Sequence, residues 1–244
     1  MMNSRNLVAS MTDDVARVSE RLRRYSAGLR KRDELGSFID ILNDQGEAYL
    51  FGGAARDVAF GAPKAVHDLD IFVSGNIDIE RIARFSVIRR NRFGGFRLYI
   101  SKMDVDAWEL QKSYPFVNRI SPYVSVFNLL QSVCFSTDGI AVSLRSGKTS
   151  RTGEFNNSLK LRRLDFVTTP TLRDVTVAAR IARLVLKLDL LPSNEVATYF
   201  LDCVAKYGAG GILNAEGRWG NHMILNTILL EQIRSEFVEF RSSM

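Results

Sequence analysis

Apolar residues recur at spacings of three and four near the start of the chain, where Val15, Val18, Leu22 and Tyr25 share one stripe. That period predicts an amphipathic helix over 11–32, with Thr12 as N-cap and Asp13 and Asp14 in the first turn. A second helix is expected over 34–43, ended by Asn43-Asp44-Gln45-Gly46. The short apolar run Ala48 to Phe51 reads as a strand that stops at Gly52-Gly53, and 54–60 reads as one or two helical turns. Asp68 to Val73 reads as a strand closed by the turn Ser74-Gly75-Asn76, and Ile77 to Phe85 as a helix. Strand-like runs follow at 96–101, 103–108, 128–136 and 139–144. After them the pattern is helical, over 172–190, 194–206 and 222–240. Mixed strands and helices followed by helices alone predict an α+β fold, a small mixed β-sheet flanked by helices with a short helical C-terminal segment. The expected divisions are 1–44, 45–170 and 171–244. There is no internal repeat and no low-complexity linker.

Composition narrows the classes. A chain of 244 residues can bury a core without metal or disulfide staples. Two cysteines (Cys134, Cys203) and two histidines (His67, His222) exclude a disulfide scaffold and a Cys/His zinc module. The first residues hold no apolar core of a secretory signal, and no run of about 18 apolar residues occurs, so no membrane partner and a cytoplasmic location are expected. The net charge is +6, and it is uneven: residues 111–190 hold twelve basic and five acidic side chains. Such a local excess attracts phosphate-rich partners, although it also describes a solvated basic face.

Phe51 to Val73 carries the chemistry. Asp68 and Asp70 are two apart on a strand, so they share a face with Cα atoms about 7 Å apart. Paired carboxylates of that kind suit divalent cations with oxygen ligands. Asp104 and Asp106 share a face in the next run, and either can supply a third carboxylate. Three converging carboxylates repel unless cations neutralise them, which two magnesium ions would do while serving phosphoryl transfer. Gly52-Gly53 lets backbone approach a phosphate closely at a helix start. Arg56, one turn in, can clamp phosphate oxygens, and Asp57 can buttress Arg56 or the local backbone.

Gly52-Gly53-x-x-Arg56-Asp57-x-x-x-Gly61 followed by Asp68-x-Asp70 resembles the head-domain motif of the polymerase β-type nucleotidyltransferase superfamily. Within it, the motif is most similar to bacterial poly(A) polymerases and CCA-adding tRNA nucleotidyltransferases (class II), and the resemblance covers roughly residues 45–190. It implies a catalytic head over 45–170, two Mg2+ ions and an NTP substrate such as ATP. By match, Gly52, Gly53 and Arg56 would hold the triphosphate, and Asp68, Asp70 and Asp106 the metals, with Asp104 in reserve. Asp106-Ala107-Trp108 is similar to an Asp-x-Trp run of divergent members. The nucleobase-reading motif is matched by Asp174, with Arg180 and Arg183 further along the helix, but Val177 stands where an arginine is usual. Ser125-Val126-Phe127 stands where the ribose-sensing motif should precede the strand at 128–136, and Gln131 where an asparagine is usual. CCA-type base selection is therefore not expected, and most of the RNA-gripping body of the family is expected to be missing.

The stretch Arg89 to Arg97 mixes arginines and aromatics around Gly94-Gly95, as an RNA contact or as a basic hairpin over buried phenylalanines. The N-terminal helix docks on the head or touches RNA; its apolar stripe favours docking. Ser146-Gly147-Lys148-Thr149 lacks the first glycine of a P-loop, since position 142 is Val142. The expected function is Mg-dependent, template-independent transfer of NMP from an NTP to an acceptor hydroxyl, at an RNA 3′ end, tRNA included. The alternatives are a nucleotide- or RNA-binding module weakened in catalysis, nucleotidylation of a protein or small molecule, and an enzyme whose RNA grip comes from a protein partner.

Overall fold

The computed structural model describes residues 4–62, 68–85, 87–90, 95–170, 174–217 and 224–242. The chain divides into two compact units, one of 1–133 and 138–156, the other of 134–137 and 157–244.

The first unit is built on a seven-stranded mixed sheet. Its strands are β1 (Ala48–Phe51), β2 (Asp68–Val73), β3 (Val87–Arg90), β4 (Phe96–Ile100), β5 (Met103–Glu109), β6 (Ile140–Ser143) and β7 (Thr149–Arg151), in the order β3-β4-β5-β2-β1-β6-β7. All pairs are antiparallel except β2 with β5. Leu50, Leu69, Ile71, Val105 and Val142 are fully or almost fully buried and mark one face. Helices α1 (Ser4–Arg30), α2 (Asp33–Gln45) and α3 (Gly52–Ala59) pack against the sheet. On the other face Tyr49, Phe51, Phe72 and Trp108 join Leu110, Leu129 and Leu130 in a second cluster. That cluster is closed by α5 (Tyr114–Val117) and α6 (Val126–Gln131) through Phe116 and Val126. Tyr49 stacks on Phe72 at 5.1 Å, and Phe51 meets Phe72 edge-on at 5.9 Å.

The N-terminal helix docks on this unit. Val18, Leu22 and Leu29 are buried, and α1 contacts α2, α3, β6 and β7. It starts at Ser4, so Thr12 lies inside the helix rather than capping it. No glycine or proline before Thr12 stops the helix from propagating through it.

Other boundaries differ from the periodicity. Residues 128–136 do not form a strand. Val126–Gln131 is helix α6, because the Ser125 hydroxyl accepts from the Asn128 amide at 3.1 Å and caps it. A short apolar run does not separate a buried helix from a buried strand by period alone. Ser125-Val126-Phe127 therefore opens a helix rather than preceding a strand, and Cys134 lies outside the strands. The helix expected over 77–85 is limited to α4 (Ile79–Ile82), with the Asp78 side chain accepting from Glu80 N. Strands β3 and β7 were not expected. Gly147 (φ +71°) turns the chain between β6 and β7, and Thr149 starts a strand, which removes the P-loop reading.

The second unit holds α8 (Asp174–Leu188), α9 (Asn194–Gly217) and α10 (Thr227–Ser242), with a two-stranded parallel ladder of β8 (Arg163–Leu164) and β9 (Leu191–Pro192). α7 (Gly153–Leu161) precedes β8. α9 breaks at Gly208, whose φ of +67° interrupts the helical path. Phe200 packs edge-on against Phe237 at 5.1 Å, and Cys203 is buried in α9. Burial pushes the Cys203 thiol up to about 11, so it stays protonated near neutrality. Among the described residues no helix is long and apolar enough to cross a membrane.

Leu22 is fully buried under the sheet unit. Leu22→Ala should lower the unfolding free energy by about 2–5 kcal/mol, whereas Arg24→Ala on the exposed side of the same helix should leave it nearly unchanged. Urea titration of the two variants checks whether docking of α1 is part of the fold.

Candidate active site

The parallel pairing of β2 with β5 sets the site. Its register places Asp68 opposite Asp104 and Asp70 opposite Asp106. Alternation along each strand turns all four carboxylates to one face, while Leu69, Ile71, Val105 and Ala107 enter the core behind them. Two strands thus present a two-by-two array of acids, with Asp68 exposed and the other three half-buried. Phe72 and Trp108 continue the same columns into the aromatic cluster.

Crowding leaves its mark on Asp68. Partial desolvation by the neighbouring strands raises its pKa, the charges of Asp104 and Asp106 raise it further, and Arg97 opposes them. Arg97 is opposite Asp106 on β4 and grips it through two contacts, Nη2 to Oδ2 at 2.6 Å and Nε to Oδ1 at 3.3 Å. The hydrogen bond and charge of Asp106 hold the Arg97 pKa above its ordinary value. Among the described residues no three histidine, cysteine or acidic side chains form a ready-made metal cluster. His67 lies outside the described residues.

The glycine pair adjoins the array. Phe51 pairs with Asp70, and the chain turns there into α3, whose first two residues are Gly52 and Gly53. Gly52 has φ +68°, and a Cβ at that position would stand 2.6 Å from Asp70 Oδ2. Only glycine meets both demands. Phe51, the residue before α3, makes no side-chain cap hydrogen bond to the start of the helix.

Arg56 sits under that turn. Its Nε donates to Asp57 at 3.0 Å and its Nη1 to Asp138 at 2.7 Å, with all three side chains about nine-tenths buried. Burial alone would lower the Arg56 pKa, but Asp138 and Asp57 more than reverse that and hold the cation. The remaining nitrogen, Nη2, faces Gly53: a Cβ on Gly53 would lie 3.4 Å from it. Asp138, 82 residues away in sequence, was not anticipated. Nothing in its local sequence marks it, because only the pairing of β6 with β1 brings it near.

The architecture is shared with solved proteins. A CCA-adding enzyme in complex with CTP matches with a TM-score of 0.61 and 16% identity, over 92% of this chain and 55% of that one. The Thermotoga maritima CCA-adding enzyme complexed with tRNA gives 0.58 and 16%, over 83% and 49%. A tRNA nucleotidyltransferase with a primer tRNA and an incoming ATP analogue gives 0.54 and 19%, over 80% and 58%. The chain has the tRNA nucleotidyltransferase fold. It spans about half the length of these structures. No family model and no curated protein matches the sequence.

Within this nucleotidyltransferase fold the remaining candidates lie on α8, in the second unit. Asp174 accepts from Tyr199 Oη at 3.2 Å, Tyr207 Oη at 3.1 Å and Lys206 Nζ at 3.3 Å. Lys206, then Tyr207 and Tyr199, hold its carboxyl below the usual range. Arg183 reaches toward the buried Glu216 at 3.6 Å, and that carboxylate also accepts from the amides of Ile224 and Leu225. The Arg180 guanidinium lies 5.4 Å over the Phe135 ring. Each of the three thus has a protein partner within its own unit. His222 lies outside the described residues.

Arg56→Ala would leave two buried carboxylates without their cation. It should destabilise the first unit by about 3–5 kcal/mol, measured as a lower denaturation midpoint. A wild-type midpoint in this variant would mean that the triad does not hold the turn.

Proposed function

We propose that the chain is a metal-dependent nucleotidyltransferase that moves a nucleoside monophosphate from an NTP to a hydroxyl at an RNA 3′ end. The observation that carries this reading is the in-register carboxylate array beside Gly52, where a Cβ would strike Asp70. All the donors are hard carboxylate oxygens, which fits a magnesium-type cation better than a soft one. Desolvation and then the charges of Asp104 and Asp106 raise the Asp68 pKa, and a bound cation would relieve the repulsion between those charges.

Asp68 and Asp70 would hold the metal, with Asp106 as the third ligand and Asp104 as its alternate. Two Mg2+ ions bound there would supply charge neutralisation and polarise the reacting oxygens. The chain's own groups do the positioning. The amides of Gly52 and Gly53 and the Nη2 of Arg56 would receive the triphosphate. Asp57 and Asp138 keep Arg56 charged and aimed. The acceptor hydroxyl attacks the α-phosphorus in line and releases its proton to solvent water, while the α–β phosphoanhydride bond breaks and pyrophosphate departs. Orientation and electrostatics account for most of the acceleration in such a transfer. Asp174, Arg180 and Arg183 each already have a partner within the protein, which would compete with base-edge contacts, so nucleobase selection through them is expected to be weak.

The test uses the full chain with magnesium, each α-labelled NTP in turn and total RNA. Label should enter RNA with wild type and fall at least about a thousandfold in Asp68→Ala/Asp70→Ala, the order of loss expected when the groups that stabilise transition-state charge are removed. Label on protein or on a small molecule would overturn the RNA acceptor and keep the chemistry. No transfer to any acceptor would overturn the enzyme reading in favour of a binding module.

A further inference from the structure

The site face of the sheet carries one continuous lateral row. Ladder partners run Arg89–Arg97–Asp106–Asp70–Phe51, and Gly52 follows Phe51 directly. Neighbouring strands are about 4.8 Å apart, so the arginine pair and the glycine pair flank the carboxylates on opposite sides. Arg89 and Arg97 are directly opposite each other on an antiparallel pair, an arrangement that repels. Asp106 pairs with Arg97 and not with Arg89, and the charges of Asp104 and Asp68 also act on Arg97. Arg89 is exposed, and among the described residues no carboxylate pairs with it. Arg97 spends Nε and Nη2 on Asp106, and a guanidinium has five N–H donors. Its remaining donors and the charge of Arg89 define a place for an anion.

The next position along β4 adds a second chemistry. Tyr99 shares the face of Arg97, is opposite Asp104 and is half exposed, while Phe96, Leu98 and Ile100 are buried on the other face. An exposed aromatic ring one pleat from two arginines suits a base stacked beside its own phosphate.

We propose that Arg89, Arg97 and Tyr99 form the acceptor subsite, with the arginines on the 3′-terminal phosphodiester and Tyr99 under the terminal base of a single-stranded RNA end. This rests on the proposed nucleotidyl transfer, which puts the triphosphate on the glycine side and leaves the arginine side for the acceptor. Arg97 then has two duties: it orients Asp106 and it bridges that carboxylate to the acceptor backbone. The subsite selects acceptors that carry a phosphodiester next to the free hydroxyl, which a protein side chain or a free nucleoside does not.

The test is equilibrium binding of a fluorescein-labelled hexa-adenylate by the full chain, without NTP, across a series of salt concentrations. Arg89→Ala should flatten the plot of log affinity against log salt by about 0.7, the increment for one phosphate contact on a single strand. Arg97→Ala should do the same. Tyr99→Ala should weaken binding by between about fivefold and a hundredfold with the slope retained, and Tyr99→Phe should restore it. Affinity for ATP with magnesium should be unchanged in Arg89→Ala. Arg89 and Tyr99 are exposed, so these variants are expected to fold, and their thermal melts verify that.

Slopes unchanged in both arginine variants, or a wild type that does not bind the oligonucleotide, would overturn the subsite. So would a loss confined to ATP affinity, which would put the triphosphate on the arginines. Binding is read without transfer. An inactive wild type that keeps these slopes would sink the enzyme reading alone, and an active one without them would sink the subsite alone.

Discussion

Four carboxylates held in register on β2 and β5 repel one another, and the rest of this sheet face is arranged around that repulsion. The parallel register forces the array: once Asp70 faces Asp106, Asp68 must face Asp104. The opposition is offset from both sides. On the same strands, Phe72 and Trp108 anchor the columns in the aromatic cluster beneath α5 and α6. From the neighbouring strand, Arg97 supplies a cation to Asp106. The face is thus half core and half charged site, and the strands run without interruption from one to the other. Apolar packing at one end of a strand can therefore hold like charges together at its other end, where their mutual repulsion alone would spread them.

The turn after β1 solves a related problem with the opposite device. There the backbone must pass close to Asp70, so the side chain is removed: Gly52 takes a left-handed φ and has no Cβ to collide with the carboxylate. Rigidity comes from below, where Arg56 ties α3 to Asp57 and Asp138. A buried ion triad is weak evidence for stability in itself, since desolvation opposes its formation. Its value here is geometric. Two acids fix the guanidinium so that its third nitrogen faces Gly53.

Much of this was legible in the sequence where a pattern has a local cause. Period-two alternation marked Asp68/Asp70 and Asp104/Asp106 as facing pairs, and the glycine pair marked the break between β1 and α3. The stripe of Val18 and Leu22 pointed to a docked helix. What escaped was set at a distance. Asp138 becomes a partner of Arg56 only through the pairing of β6 with β1. Leu129 and Leu130 sit between two amide side chains in a run too short to show its period, and the Ser125 cap tips it to helix. β3 was hidden because Arg89 and Arg90 lack the hydrophobic signature of a strand; its pairing with β4 is supported from outside its own sequence.

The candidates on α8 show where resemblance and geometry part. A carboxylate that reads a base edge must keep an oxygen open to a donor on the base. Asp174 is part-exposed, but three of its roughly four acceptor sites are taken by Tyr199, Tyr207 and Lys206, all from α9, the helix most extensively packed against α8. Val177, where the resemblance calls for an arginine, is fully buried. A guanidinium there would need a partner in the core, so valine suits this position of α8 where a charged side chain would not. The carboxylate face has no such substitution: its acids remain together despite the electrostatic cost. Packing does not reward that cost, so the proposed chemistry is placed on the sheet face, while Asp174, Arg180 and Arg183 each have a partner within their own unit.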